Sequence, residues 1–218
     1  MNYDCIEPGG SKTMIYTRRG IIAGLGGGAV LAAQPASAQL GSVLTAPVTL
    51  IDRALEDRSA ADIAKDNEIV IKVNAVMAED KTIKASTEIY EQRLLVTGLF
   101  DDKPTYDKFE QGVRGVAGIK RLYWHVVYMS DADQKANKNG IISWARALEI
   151  NSKAEAELAV AKGVDHLNYR LATDAFATLY VLGRALSTTE HRLVLADLKA
   201  ISGVRQVVDY IEVRPRTK

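Results

Sequence analysis

The 218 residues carry 28 basic and 27 acidic side chains, a formal charge of +1, with 47% hydrophobic and 25% charged residues. That balance suits an ordinary globular chain holding one medium domain or two small ones, and it excludes a chain-wide basic field for nucleic acid. The single cysteine, Cys5, excludes an intramolecular disulfide framework and a thiolate metal cluster.

Residues 1–38 read as a signal peptide. Arg18-Arg19 precede an apolar run of 13 residues from Ile21 to Ala33, and Ala36-Ser37-Ala38 forms an A-x-A cleavage site ahead of Gln39. The run is too short for a membrane span, which needs about 20 residues, so no transmembrane segment is expected in the mature chain. The arginine pair and glycine-rich core resemble a twin-arginine signal, and the general secretory route is the alternative; both lead to the periplasm. Translation starts at Met1 or Met14, and Asp4 and Glu7 upstream of Met14 favour the latter. The Gly24 to Ala29 stretch fits a loose dinucleotide pattern, but no strand precedes it and it falls inside the cleaved segment. Cleavage leaves 25 basic and 25 acidic residues on 180, with no cysteine to accept a lipid anchor.

After an N-terminal extension over 39–63, a repeat sets the architecture. Leu94-Leu95-Val96-Thr97-Gly98 recurs as Leu179-Tyr180-Val181-Leu182-Gly183, and Gly118-Ile119-Lys120-Arg121-Leu122 as Gly203-Val204-Arg205-Gln206-Val207, both 85 residues on. In the first unit, 64–129, Asp66 is expected to cap a helix whose Ile69, Val73, Val76 and Met77 make one stripe and which ends near Asp80. Two strands of a hairpin follow, Thr87 to Tyr90 and Arg93 to Gly98, the latter closed by Gly98. Pro104 opens a second helix through Tyr106, Phe109, Val113 and Val116, and Gly118 ends it. Leu122 to Tyr128 is a third strand, apolar on both faces.

Residues 130–140 are polar and read as a linker. The second unit, 141–214, repeats the order: a helical stretch from Ile142 to Lys162, strands near His166 to Thr173 and Thr178 to Gly183, a helix through Leu193 to Ile201, and a strand from Val204 to Val213. A short C-terminal tail, 215–218, follows. The expected fold is α+β: two tandem helix-strand-strand-helix-strand modules, each a three-stranded mixed sheet packed against two helices. Modules of this size have marginal cores, so docking between them would help.

The glycine in the second strand, the Gly-Ile or Gly-Val twenty residues later and the closing aliphatic strand resemble the BON family (bacterial OsmY and nodulation domains). Asp57-Arg58-Ser59, Asp66, Ile69 and Lys72-Val73-Asn74-Ala75 resemble the opening of the first module in dual-BON envelope proteins. The resemblance spans residues 57–214. It implies a periplasmic or outer-membrane-attached protein without enzymatic residues, associated with phospholipid binding, envelope integrity and osmotic stress.

The resemblance also implies a lipid-facing helix in the second module, within 142–162, where Trp144, Arg146 and Lys153 combine an interfacial aromatic with positive charge. The competing reading puts Trp144 in the core and the charges, with Glu149, Glu155 and Glu157, on a solvated face. Gly98, Gly118, Gly183 and Gly203 are expected to be backbone devices at positive φ.

No catalytic, cofactor or metal site is expected. His125, His166 and His191 lack ligand-type spacing, and neither a G-x-S-x-G elbow nor a P-loop occurs in the mature chain. The expected partners are anionic phospholipid head groups or envelope proteins, and no nucleic acid. The competing functions are an osmotic-stress-associated, chaperone-like soluble protein of the OsmY type, and a structural module docking through an exposed strand edge.

Overall fold

The computed structural model describes residues 57–79 and 84–216. The expected signal peptide, the two candidate starts, Cys5, Asp80 and most of the N-terminal extension lie outside the described residues. Among these, five α-helices and two three-stranded mixed sheets form an α+β structure.

The first unit opens with α1 (Ala60–Ala78), four residues ahead of the expected boundary at 64. Its cap is Ser59, whose hydroxyl accepts from the Asp62 N–H at 3.0 Å, satisfying one of the free donors of the first turn. Asp66, expected at that cap, instead sits inside the helix and is buried. Its carboxylate reaches the turn between β1 (Ala85–Tyr90) and β2 (Arg93–Phe100), accepting from the Glu91 N–H at 2.8 Å, the Gln92 N–H at 2.6 Å and Gln92 Nε2 at 2.8 Å. It also pairs with Arg58.

β1 and β2 are antiparallel, and β2 runs parallel to β3 (Arg121–Tyr128) after the crossover helix α2 (Lys103–Arg114). Asp102 caps α2, accepting from the Thr105 N–H at 2.8 Å. The expected linker contains a short helix, α3 (Asp131–Ala136).

The second unit repeats the topology. α4 (Trp144–Val160) leads through a 3₁₀ turn at His166–Asn168 into β4 (Tyr169–Thr173), antiparallel to β5 (Thr178–Ala185). α5 (Thr188–Ala200) then crosses over to β6 (Gln206–Val213), parallel to β5. The two units share one register: Gly98 lies opposite Val126, and Gly183 opposite Ile211. β2 and β5, β3 and β6 are each offset by 85 residues, whereas β1 and β4 are offset by 84. The hairpin loops explain the difference. Glu91 and Gln92 alone separate Tyr90 from its partner Arg93, while the second hairpin inserts one residue more, with Ala177 at positive φ.

Side-chain alternation then builds four layers. One face of β1–β3, with Leu94, Val96 and Phe100, packs on α1 and α2 around Ile69, Val73, Phe109 and Val113. One face of β4–β6 packs likewise on α4 and α5 around Leu158, Leu179, Val181 and Leu198. The remaining faces meet, joining Tyr90, Leu95 and Tyr123 to Ala172, Tyr180, Leu182, Val208 and Tyr210. Strands with apolar residues on both faces are what such a sandwich of two helix-backed sheets requires.

Two glycine expectations are corrected. Gly118 and Gly203 have φ of +99° and +98°, the left-handed region in which a side chain is strained. Gly98 and Gly183 are not in that region and do not close their strands, which run on to Phe100 and Ala185. Their role is close approach. A Cβ on Gly183 would overlap the Asn168 carbonyl oxygen and lie 3.0 Å from the Tyr169 Cα, and one on Gly98 would lie 3.1 Å from the Lys84 carbonyl oxygen.

Candidate anion-binding surfaces

α4 is set by its Ser143 cap, which accepts from the Arg146 N–H at 3.2 Å, and by the inward stripe Ala147, Ile150, Ala154 and Leu158. At about 100° per residue, Arg146 and Lys153 share one side of the helix with Glu149, and Trp144 falls on the opposite side. Trp144 is half-buried. Glu149 holds both cations, at 2.7 Å from Arg146 Nη1 and 2.7 Å from Lys153 Nζ. Hydrogen bonds from Lys153 and Arg146 bring its pKa down to about 2. The three expected residues therefore do not form one patch, and with exposed Glu157 on the same side the two cations there are balanced by two carboxylates.

A second surface lies where the two sheets meet. Arg93, at the start of β2, is buried, and its guanidinium crosses to the other unit, donating to the Gly183 carbonyl at 2.8 Å and the Tyr210 carbonyl at 3.0 Å. It also pairs with Glu212 at 3.3 Å. Arg214 pairs with Glu91 and, at 3.1 Å, with Glu212. Together with Lys120 and Arg121 these residues line an open cleft of about 340 Å³. Lys120 and Arg121 are exposed, and among the described residues neither forms an ion pair. The sequence signal for this cleft was the adjacent basic pair behind Gly118, which stands within the repeat and served only to define its period.

Elsewhere between the sheets, His125 Nε2 lies 2.8 Å from the Tyr210 hydroxyl, and burial holds its pKa below the usual imidazole value. His191 contacts Asp209 at 2.7 Å, and His166 lies in the 3₁₀ turn. Glu88 and Glu155 both face Arg170, and burial raises both carboxyl pKa values, Glu88 to about 8. Among the described residues no helix is long and apolar enough to cross a membrane.

The fold thus defines a class: a duplicated α-β-β-α-β unit whose two copies dock sheet to sheet. No family model matches the chain. A protein of Anaplasma centrale described as an uncharacterized protein in the gshII 5′ region is 25% identical over 150 residues, covering 68% of this chain and 95% of that protein. Among solved structures, CdsD of Chlamydia trachomatis, a structural protein of the type III secretion system, is 12% identical and covers 68% of this chain and 93% of its own, with a TM-score of 0.29. The C-terminal domain of CdsD is 15% identical, covering 67% and 96%, with a TM-score of 0.25. At those scores nothing carries over to this chain.

Proposed function

We propose that the chain is a non-enzymatic dual-BON protein of the periplasm that binds anionic phospholipid surfaces and supports outer-membrane integrity. The observation that carries this reading is the duplicated unit: the glycine and aliphatic positions behind the BON resemblance fall at equivalent places in two copies of one topology, with one strand register. An unbroken bilayer contact would be electrostatic and peripheral, because the exposed cations outnumber the exposed large apolar side chains on the described surface.

Co-sedimentation of the purified protein with phosphatidylglycerol vesicles at low salt tests it. Binding that falls at high salt and is absent with phosphatidylcholine is the expected result. Suppression of client aggregation with no vesicle binding under any condition would replace it with the soluble chaperone-like reading.

A further inference from the structure

The second and third strands of the two docked units, and the residues that flank them, correspond at an offset of 85, so a difference between the two ends at those positions is a difference in chemistry on a common backbone. Arg93 corresponds to Thr178, Arg121 to Gln206, Glu212 to Val127 and Arg214 to Met129. Lys120 corresponds to Arg205, which is spent on the backbone, donating to the carbonyls of Gly140 at 2.6 Å and Asn139 at 3.3 Å. At these positions the second end keeps a single cation, Arg205, among neutral side chains. The other concentrates four cations and two carboxylates in a single cleft.

The carboxylates are already engaged. Glu91 holds Arg214, and Glu212 holds both Arg93 and Arg214, so these four groups fix the walls and cancel one another. Asp62, on α1, feels the Lys120 charge from the side, while its own oxygen is bound to the Ser59 hydroxyl at 2.6 Å. Lys120 and Arg121 remain exposed at the rim. Arg121 leans toward the Tyr123 ring, 5.9 Å from its centroid, which limits the positions its planar fork must search. A preorganised guanidinium beside a lysine ammonium matches a tetrahedral oxyanion, the first bidentately and the second as a point charge.

We propose that this junction cleft binds a phosphate group, with Lys120 and Arg121 as the contacting side chains and the charge-balanced set of Arg93, Arg214, Glu91 and Glu212 as its fixed wall. Its volume is at the small end of ligand sites, which run from roughly 300 Å³ upward, and it suits a head-group phosphate rather than a large ligand. Because the walls come from both units, the site exists only while the sheets are docked. The inference rests on the surface-binding reading for the lipid as the source of the phosphate, and stands without it as a site for a free phosphorylated ligand.

The test uses the intact protein and the double variant Lys120→Gln/Arg121→Gln, both of whose side chains are exposed and make no ion pair that the fold needs. Amide shifts are followed during titration with inorganic pyrophosphate, and binding is measured to phosphatidylglycerol vesicles, with Arg146→Gln/Lys153→Gln as a comparison on α4. The expected result is pyrophosphate shifts centred on Lys120 and Arg121, and vesicle affinity reduced about tenfold or more by the cleft variant but little by the α4 variant. Pyrophosphate shifts at the cleft with no vesicle binding would keep the phosphate site and remove the surface-binding reading. Vesicle binding equal in wild type and cleft variant, with no pyrophosphate shifts at the cleft, would overturn the cleft and leave that reading intact. Absence of both responses would overturn both.

Discussion

His125 and Tyr210 occupy the same position in the two repeats, 85 residues apart, and hydrogen-bond to each other, Nε2 to Oη at 2.8 Å. A residue that meets its own counterpart marks a pseudo-twofold interface, the arrangement of an isologous dimer built within one chain. The same seam stacks Tyr123 on Tyr210, with ring centroids 3.8 Å apart, and sets His125 at 4.2 Å from the Tyr180 ring. Burial keeps His125 neutral and the Tyr210 hydroxyl protonated, both favouring a bond from the phenol to the imidazole. Tyr210→Phe keeps the stacking and removes the donor. Urea denaturation should show a loss of about 1 kcal/mol, and an unchanged midpoint would mean that solvent replaces the bond.

The carboxylate of Asp66 supports a turn that is unfavourable by itself. Glu91 and Gln92 have φ of +52° and +63°, a pattern of type I′ turns that favours Asn-Gly. Asp66 compensates by taking both backbone N–H groups of that turn. Asp66→Ala would leave the two turn N–H groups without their acceptor and remove the buried carboxylate that pairs with Arg58, at a cost of about 3–5 kcal/mol. Equilibrium unfolding that moves by less than about 1 kcal/mol would show that the turn holds itself.

The sequence made the period legible because strand and cap positions tolerate few residue types. Gly118 and Gly203 mark the left-handed turns, and the aliphatic runs around Gly98 and Gly183 mark the central strands. Helix starts were less legible, since Asp66 has the chemistry of a cap but spends it on a hairpin 25 residues away, whereas Ser59 does the capping. The opening helices were paired by their order, but their alignment was not legible because the offset is not 85: Ile69 and Ile150 lie against Gly118 and Gly203 in the same way, yet are 81 residues apart. Of the cleft, only the adjacent pair Lys120-Arg121 was legible. Arg93, Lys120, Arg121 and Arg214 converge only through docking of the units, a relationship no local spacing encodes.

Thr97 faces the seam at the position that Leu182 fills in the second unit, and its hydroxyl is buried without a hydrogen-bond partner. Burying an unsatisfied hydroxyl costs about 1–3 kcal/mol. Thr97→Val keeps the branched shape and removes the oxygen, so the variant should be more stable than wild type by about 1 kcal/mol in a urea titration. A destabilised variant would mean that the hydroxyl is satisfied in solution.

Gly98 and Gly183 are equivalent by sequence but differ in surroundings. The Cβ of an alanine at 183 would overlap the Asn168 carbonyl and crowd Tyr169, whereas at 98 its nearest neighbours lie at 3.1 and 3.3 Å and can yield slightly. Gly183→Ala should lose about 3 kcal/mol and Gly98→Ala about 1 kcal/mol. Equal losses in thermal melts would show that the second hairpin relaxes as easily as the first.

Glu88 links stability to pH. Its carboxyl, half-buried at the seam, is pushed up to about 8 by desolvation, with Arg170 opposing the shift and Glu155 adding to it. From its ordinary value of 4.5 up to about 8, the folded chain therefore holds a proton that the unfolded chain has released, and stability falls as pH rises through that window. His125 works in the opposite sense: its lowered pKa withdraws stability as pH drops below its ordinary 6.5. The interval from 6.5 to 8 is thus free of the His125 contribution. Glu88→Gln fixes the neutral form, so its melting temperature should match wild type near pH 4.5 and exceed it increasingly toward pH 8. Parallel melting curves for the two proteins across that range would show that Glu88 ionises normally in the folded state, with Arg170 and solvent compensating its burial.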